Sequence, residues 1–401
     1  MKIKIQQFLA QNHSWQIVGT NIARALIKQN HDVHLFSTNG IKYFPEDLKP
    51  YLREWKEQED STPWKYIDKN YDMQLSYTAM TNFPRYLNNG NKNRFGIWNY
   101  ETTIIPEGFA KLHKFCDKML PSSEFSKRIF ANSGIPEEKL IVVPHGINVE
   151  EYSSKKVYQL KTKKKYKILS DIAQPHIRKN IPGLFEAFGK AFTKEDDVCL
   201  VCKISVKPSP KAIVQKQVRN LRAAKKLNQR NSPEQTKEKA MPFNIDFWRI
   251  VEDFYKKYPK HAEVEIIPEF LDTMTPLYNA CNILFAMTHA EGFHLPSAQA
   301  LATNILVINS NYGGQLDFLN NNNSILIDGK MIRAPKEMQY WTNSPFAEMF
   351  EPDIDDAVAK LRYAVSNYDD IMNRFRPVIK EQLKIMSWDN VAQQITSLTN
   401  V

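Results

Sequence analysis

The stretch HAEGFHLPSAQALA, residues 289–302, decides how the rest of the chain is read. A carboxylate, a glycine and an aromatic are followed by a Leu-Pro pair that runs into small residues with helical character. Gly292 permits a tight turn just after the apolar strand candidate ILFAMT. Pro296 suits the first turn of a helix, where its missing N–H costs nothing. The N–H groups around Phe293, His294, Leu295 and Ser297 are then expected to point outward, with the positive helix end behind them. Such a turn is an anion site, and it lies at the carboxyl end of a strand, where open α/β sheets bind ligands.

A second strand-to-helix turn, Asn311-Tyr312-Gly313-Gly314, follows soon after. Two adjacent amide-rich turns suit a diphosphate better than a single phosphate. Cations belong in the same place. Arg178 and Lys179, in HIRKN, follow one strand candidate, and Lys203 comes after LVC in the next. The alternative for the basic pair is a solvated turn.

Further out, strand and helix signals alternate, which argues for parallel sheets covered on both faces. Strand candidates are KIKIQQFL, HDVHLFST, NRFGIWNY, CDKMLPSS and KLIVVPHG, with helices expected over Gly19–Gln29 and SEFSKRIFANSG. After a Lys-rich run at 155–167 the alternation restarts with YKILSDIA, IPGLFEAFGKAF and DVCLVCKIS. An interruption spans about 206–260, and the pattern then resumes through EVEIIPEF, TPLYNACN, ILFAMT, LPSAQALAT, ILVINS, GQLDFLN and SILID. From about Ile354 onward the pattern is helical, with Ser387 as an expected N-cap. Two successive α/β sheets are the simplest account of 401 residues.

Composition is that of an ordinary globular protein, 42% hydrophobic and 24% charged. No apolar run is long enough to span a membrane. The start, MKIKIQQFLAQNHSW, reads as a strand and not as a signal peptide. Four Cys without a disulfide-like framework point to a reducing cytosol. Cys199 and Cys202 form a CxxC inside an apolar run, which reads as core packing against the metal or redox alternative. The net charge of +10 is local: residues 155–167 carry +7 and residues 207–240 carry +8. The basic helix candidate at 209–230 has three readings: a solvated insertion, a surface for anionic membrane, or a nucleic-acid surface.

The stretch EGFHLPSAQALATNILVINSNYGG resembles the nucleotide-sugar signature of retaining glycosyltransferases with the GT-B fold, specifically glycosyltransferase family 4. LPSSEFSKRIFANSGIPEEKLIVVPHGIN, RKNIPGLFEAF and SWDNVAQQI are similar to other ordered segments of that family, so the likeness covers roughly residues 93–401. It implies an α/β GT-B architecture: two Rossmann-like domains facing across a cleft, with a C-terminal helix crossing back to the first. The implied first domain, on the acceptor side, spans 1–150 plus about 381–401. The second, binding the nucleotide sugar, spans 151–380 with the insertion at about 206–260.

The resemblance implies roles for particular residues. Glu291 faces the donor sugar, and Lys179 and Arg178 meet the departing diphosphate. The donor is further held by Gly19, at the first strand–helix turn, and by Phe293, His294, Leu295, Gln299, Gly313 and Gly314. Position 299 is Gln where the family has a Glu that grips the ribose. His294 stands where the family has a small residue, either filling space or adding a phosphate contact. No metal and no cofactor are required. Asp353-Ile-Asp355 fits a metal-binding string but lies in the helical C-terminal region. The implied activity is retaining transfer from a nucleotide-diphosphate sugar to a hydroxyl of a glycan or lipid-linked glycan. The implied location is cytoplasmic, including the inner face of a membrane. Two alternatives stay open: a glycosyltransferase acting on modified DNA, and a non-catalytic nucleotide-sugar binder.

Overall fold

The structure is a computed structural model that describes residues 1–7, 14–38, 44–53, 71–87, 92–205, 245–338 and 344–400. The first sheet is built from β1 (Lys2–Gln7), β2 (Asp32–Ser37), β3 (Met73–Tyr77), β4 (Arg94–Ile97) and β5 (Lys118–Leu120). All its pairings are parallel, in the order β2-β1-β3-β4-β5. Helix α1 (Ser14–Lys28) joins β1 to β2, the single turn α2 (Phe83–Tyr86) follows β3, and α3 (Glu124–Asn132) follows β5. Ser123 caps α3 by accepting from Ser126 N, and Gly134 ends it with φ at +92°. A single turn, α4 (Val149–Tyr152), lies in the connection to the second half.

The second sheet contains β6 (Tyr166–Ala173), β7 (Val198–Ile204), β8 (Glu263–Ile267), β9 (Ile283–Phe285), β10 (Leu306–Ser310) and β11 (Ile325–Ile327). It is also all parallel, in the order β11-β10-β9-β6-β7-β8. The helices α5 (Ile181–Ala191), α6 (Phe247–Lys257), α7 (Thr275–Asn279) and α8 (Leu295–Ala302) connect its strands. A hairpin, β12 (Gly329–Arg333) with β13 (Glu348–Pro352), is the antiparallel addition. Three helices close the chain: α9 (Ile354–Ser366), α10 (Tyr368–Ile385) and α11 (Trp388–Ser397). Helix α11 packs on α1, where Gln29 Nε2 donates to Asp389 O at 2.9 Å. The expected architecture of two Rossmann-like sheets is borne out.

Several local expectations need correction. The first helix begins at Ser14, not Gly19. The central strand β3, MQLSY, was not among the strand candidates, because Gln and Ser break its apolar run; both are buried. The segment KLIVVPHG forms no full strand. Its Ile141 and Val143 amides donate to Met119 O and Pro121 O beside β5, but its one bridge is at Leu140. Pro121 and Pro144 have no N–H to extend the ladder. GQLDFLN is a single 3-10 turn over Gly314–Asp317. The interruption is shorter than expected, since α6 lies within it. The basic stretch 207–240, with its three readings, lies outside the described residues.

Cys199 and Cys202 are buried in β7, where burial pushes the Cys199 thiol up to about 12 and raises that of Cys202. Asp353 caps α9 by accepting from Asp356 N, and Asp355 is almost fully exposed.

Candidate functional site

Strand order locates the site. In the second sheet the order reverses between β6 and β9, so the chain leaves these neighbours toward opposite sides. A crevice opens there at the carboxyl ends of the strands. The turn after β6 carries Arg178 and Lys179, and the turn after β9 carries Glu291. Backbone bonds tie the two turns together: His289 N donates to Arg178 O at 2.8 Å. Asn180, in the left-handed region at φ +48°, caps α5 by accepting from Gly183 N at 3.2 Å.

Arg178 and Lys179 converge on one atom. Glu291 Oε1 lies 2.5 Å from Arg178 Nη1 and 2.6 Å from Lys179 Nζ. The Glu291 side chain is 8% exposed, and those of Arg178 and Lys179 are 19% and 13% exposed. Burial alone raises a carboxyl pKa, but the guanidinium and ammonium reverse this and hold Glu291 far below the usual range. Glu101, which follows β4 in the other sheet, approaches the same guanidinium at 3.9 Å. Burial dominates there: Arg178 and Lys179 favour the charged form, Glu291 opposes it, and the carboxyl is pushed up to about 7. The site therefore holds two partly buried cations, one firmly ionised carboxylate, and one carboxylate that titrates near neutrality.

The glycine turns have a structural task. Gly314 N donates to Glu291 O at 2.8 Å, and a Cβ on Gly314 would meet Gly292 O at 1.9 Å. The two turns expected to offer free amides instead lie backbone to backbone, so the Gly314 amide is engaged by Glu291. Gly313 supplies φ +114° for this approach. Ser297 N is also engaged, donating to His294 O at 3.0 Å.

His294 sits at φ +67° before α8, with its ring buried. Its Nδ1 lies 3.1 Å from Asn309 Nδ2 and 2.7 Å from Ser297 Oγ. Asn309 Oδ1 accepts from Ser310 N, which fixes the amide, so Nδ1 is the acceptor and the ring proton is on Nε2. Burial drives the pKa to about 3, so the ring is neutral. This favours the space-filling reading of His294 over an added cation.

The remaining expected residues are spread wider. Phe293 is buried against His145 and Phe318, with ring centroids at 4.9 and 5.0 Å. Leu295 and Gln299 line a small void facing Ile17 and Asn21 of α1. Gln299 Oε1 accepts from Tyr278 Oη at 3.2 Å, and Tyr152 hydrogen-bonds the same amide. Gly19 is not at the strand–helix turn. It lies inside α1, where a Cβ would overlap the Gln7 side chain at 1.4 Å, so its glycine serves helix-to-strand packing.

Three polar residues at the site carried no functional reading in sequence. Asp171 interrupts the apolar run YKILSDIA, which is the signal that marks it. Tyr278 looked like an ordinary helix residue. His145, in the Pro-His-Gly segment, bridges the two halves between Tyr77 and Phe293.

Among the described residues, no cluster of His, Cys, Asp and Glu is suited to hold a metal. No helix among them is long and apolar enough to cross a membrane.

No protein-family model matches the chain, and no characterised protein matches it by sequence search. Solved structures do match. A glycosyltransferase from Rickettsia africae superposes with a TM-score of 0.67 at 15% identity, over 100% of this chain and 98% of that one. Anabaena Alr3699/HepE, solved in complex with UDP and glucose, gives 0.65 at 13%, over 100% and 99%. The sucrose-phosphate synthase of Thermosynechococcus elongatus gives 0.65 at 12%, over 100% and 98%. At these identities the likeness shows the fold, the two-domain GT-B architecture.

Proposed function

We propose that this chain is a glycosyltransferase that moves a sugar from a nucleotide-diphosphate sugar to a hydroxyl acceptor with retention of configuration. One observation carries the reading: two partly buried cations, Arg178 and Lys179, converge at the strand-order reversal of a GT-B fold, on the side facing the other domain. A diphosphate is the ligand whose charge they match. Glu291 holds the cations together until that ligand arrives, and then faces the donor sugar. That structures of similar fold contain UDP or UDP-glucose supports a nucleotide-linked donor.

The chemistry needs little from the protein beyond charge. The bond between the anomeric carbon and the phosphate oxygen breaks, and the negative charge developing on the diphosphate is met by Arg178 and Lys179. The acceptor oxygen bonds to the same carbon on the same face, and its proton passes to the leaving phosphate oxygen. No second placed carboxylate is required, unlike glycoside hydrolysis.

For the acceptor we propose a cavity of about 380 Å³ between Ile104–Ala110 of the first domain and Ser344–Phe346 beside β13. Its wall residue Ile104 packs in the same cluster as Ile177, next to Arg178. Gln299 favours one second reading, a binder without turnover.

A thermal-shift screen against nucleotide sugars, followed by a transfer and hydrolysis assay of the best ligand, tests the proposal. The expected result is a raised melting point with one donor class and release of its nucleoside diphosphate. Binding without any release would support the binder, and no binding at all would overturn both readings.

A further inference from the structure

We infer that Asp171, not residue 299, is the carboxylate that takes the ribose hydroxyls of the donor's nucleoside. This rests on the reading of the site as a nucleotide-diphosphate-sugar site. With the diphosphate on Arg178 and Lys179, the reacting sugar lies toward Glu291 and Glu101, and the nucleoside must leave in the other direction. That direction runs over the carboxyl ends of β6, β7 and β8. There the chain sets out a row of alternating charge: Asp171 on β6, Lys203 on β7, and Glu269 just past β8. Asp171 and Lys203 are direct cross-strand partners in the register. Lys203 is buried, and its ammonium donates to Ile204 O at 3.0 Å. A carboxylate at a strand end is the group that α/β nucleotide sites use for ribose hydroxyls.

The backbone around Asp171 is irregular where it need not be. The β6–β7 register slips between Asp171 and Ala173, leaving Ile172 as an extra residue. Ala173 then takes φ +52°, a conformation unfavourable for a residue with a Cβ. A bulge of this kind re-aims the neighbouring side chain and recurs beside functional sites.

Gln299 is occupied elsewhere. Its amide is bonded to both Tyr278 and Tyr152, inside the protein. The Tyr278 hydroxyl lies between Gln299 Oε1 at 3.2 Å and Asp171 Oδ2 at 3.4 Å, within donor reach of both. A carboxylate has two oxygens and about four acceptor positions, so a shared bond from Tyr278 at Oδ2 leaves Asp171 acceptor capacity for a ligand. Gln299 is a positioning residue: it sets Tyr278 beside Asp171.

The test is calorimetry with the best-binding member of a panel of nucleoside diphosphates, set against its 2′,3′-dideoxy counterpart and inorganic pyrophosphate. Wild type is expected to prefer the ribose form by about ten-fold or more, the range for hydrogen bonds to a charged group. Asp171→Asn should bring that ratio near one while pyrophosphate binding is unchanged; Gln299→Ala should keep the ratio. Should the Asn variant lose pyrophosphate binding, Asp171→Ser provides the same comparison. A preference that survives loss of Asp171 and disappears in Gln299→Ala overturns this inference alone. Absence of any nucleoside diphosphate binding to wild type overturns the reading of the site as well.

Discussion

Glu101 and Glu291 approach one guanidinium from opposite domains, yet their environments separate them. Glu291 has two cations at hydrogen-bond distance, and Glu101 has one at 3.9 Å. The consequence is a pH dependence of opposite sign. The Glu101 carboxyl rises from 4.5 to about 7 on folding, so the folded state holds its proton more tightly than the unfolded chain. Its contribution is most favourable below about pH 4.5 and declines as the pH climbs to 7, by at most about 3 kcal/mol. Glu291 is depressed, so its contribution is present above its unfolded value and is lost only in more acidic solution. Histidines whose pKa is lowered by desolvation, such as His145 and His176, make stability rise with pH, so the comparison is a difference between two proteins. Glu101→Gln should match wild type near pH 4.5 and gain on it steadily to pH 7, measured by denaturant unfolding. Parallel curves for the two proteins would show that Glu101 is not desolvated in this cleft. At this scale the sequence was legible where chemistry is local. The Arg-Lys pair and Glu291 were marked by strand-end turns. Asp171 and Tyr278 were not, because they meet only when two distant segments fold together.

Among the elements, the paired turns at 291–292 and 313–314 matter most. Each follows a strand of the second sheet, β9 and β10, which are neighbours, so the turns must touch. They touch through backbone, with Gly314 N on Glu291 O and no room for a side chain. Gly314→Ala should therefore cost about 3 kcal/mol by overpacking. Gly134→Ala is the control: φ is +92° but nothing lies within 4 Å, so the cost is about 1 kcal/mol from backbone strain alone. Urea unfolding of both variants decides it, and equal costs would mean the turns are free to part. Helices with a cap or a glycine stop, such as α3 and α11, were readable because their signals lie within a few residues. Strand β3 was not, because its polar residues are buried by neighbours that the local sequence does not reveal. KLIVVPHG had the opposite fault, being apolar enough for a strand but interrupted where proline cannot donate.

In the whole molecule, the two sheets present their carboxyl edges to one another. Ser123 Oγ donates to Gly292 O at 2.6 Å, and Glu124 N donates to Asp317 Oδ2 at 2.7 Å. Glu348 N donates to Thr103 Oγ1 at 2.9 Å. These bonds join the two domains, one of them directly at the Gly292 turn beside Glu291. The two-domain plan was legible because alternation of strand and helix signals is repeated along the chain. The mutual placement of the domains was not, because it depends on single bonds between residues more than 160 positions apart. Everything proposed for this site turns on Arg178 and Lys179 holding the donor's diphosphate. The most direct test is a crystal structure with the nucleotide sugar that raises the melting point most. Phosphate oxygens are expected within hydrogen-bond distance of Arg178 and Lys179, with Glu291 turned from them to the sugar. A diphosphate lodged elsewhere, with the Glu291 pairs intact, would contradict it.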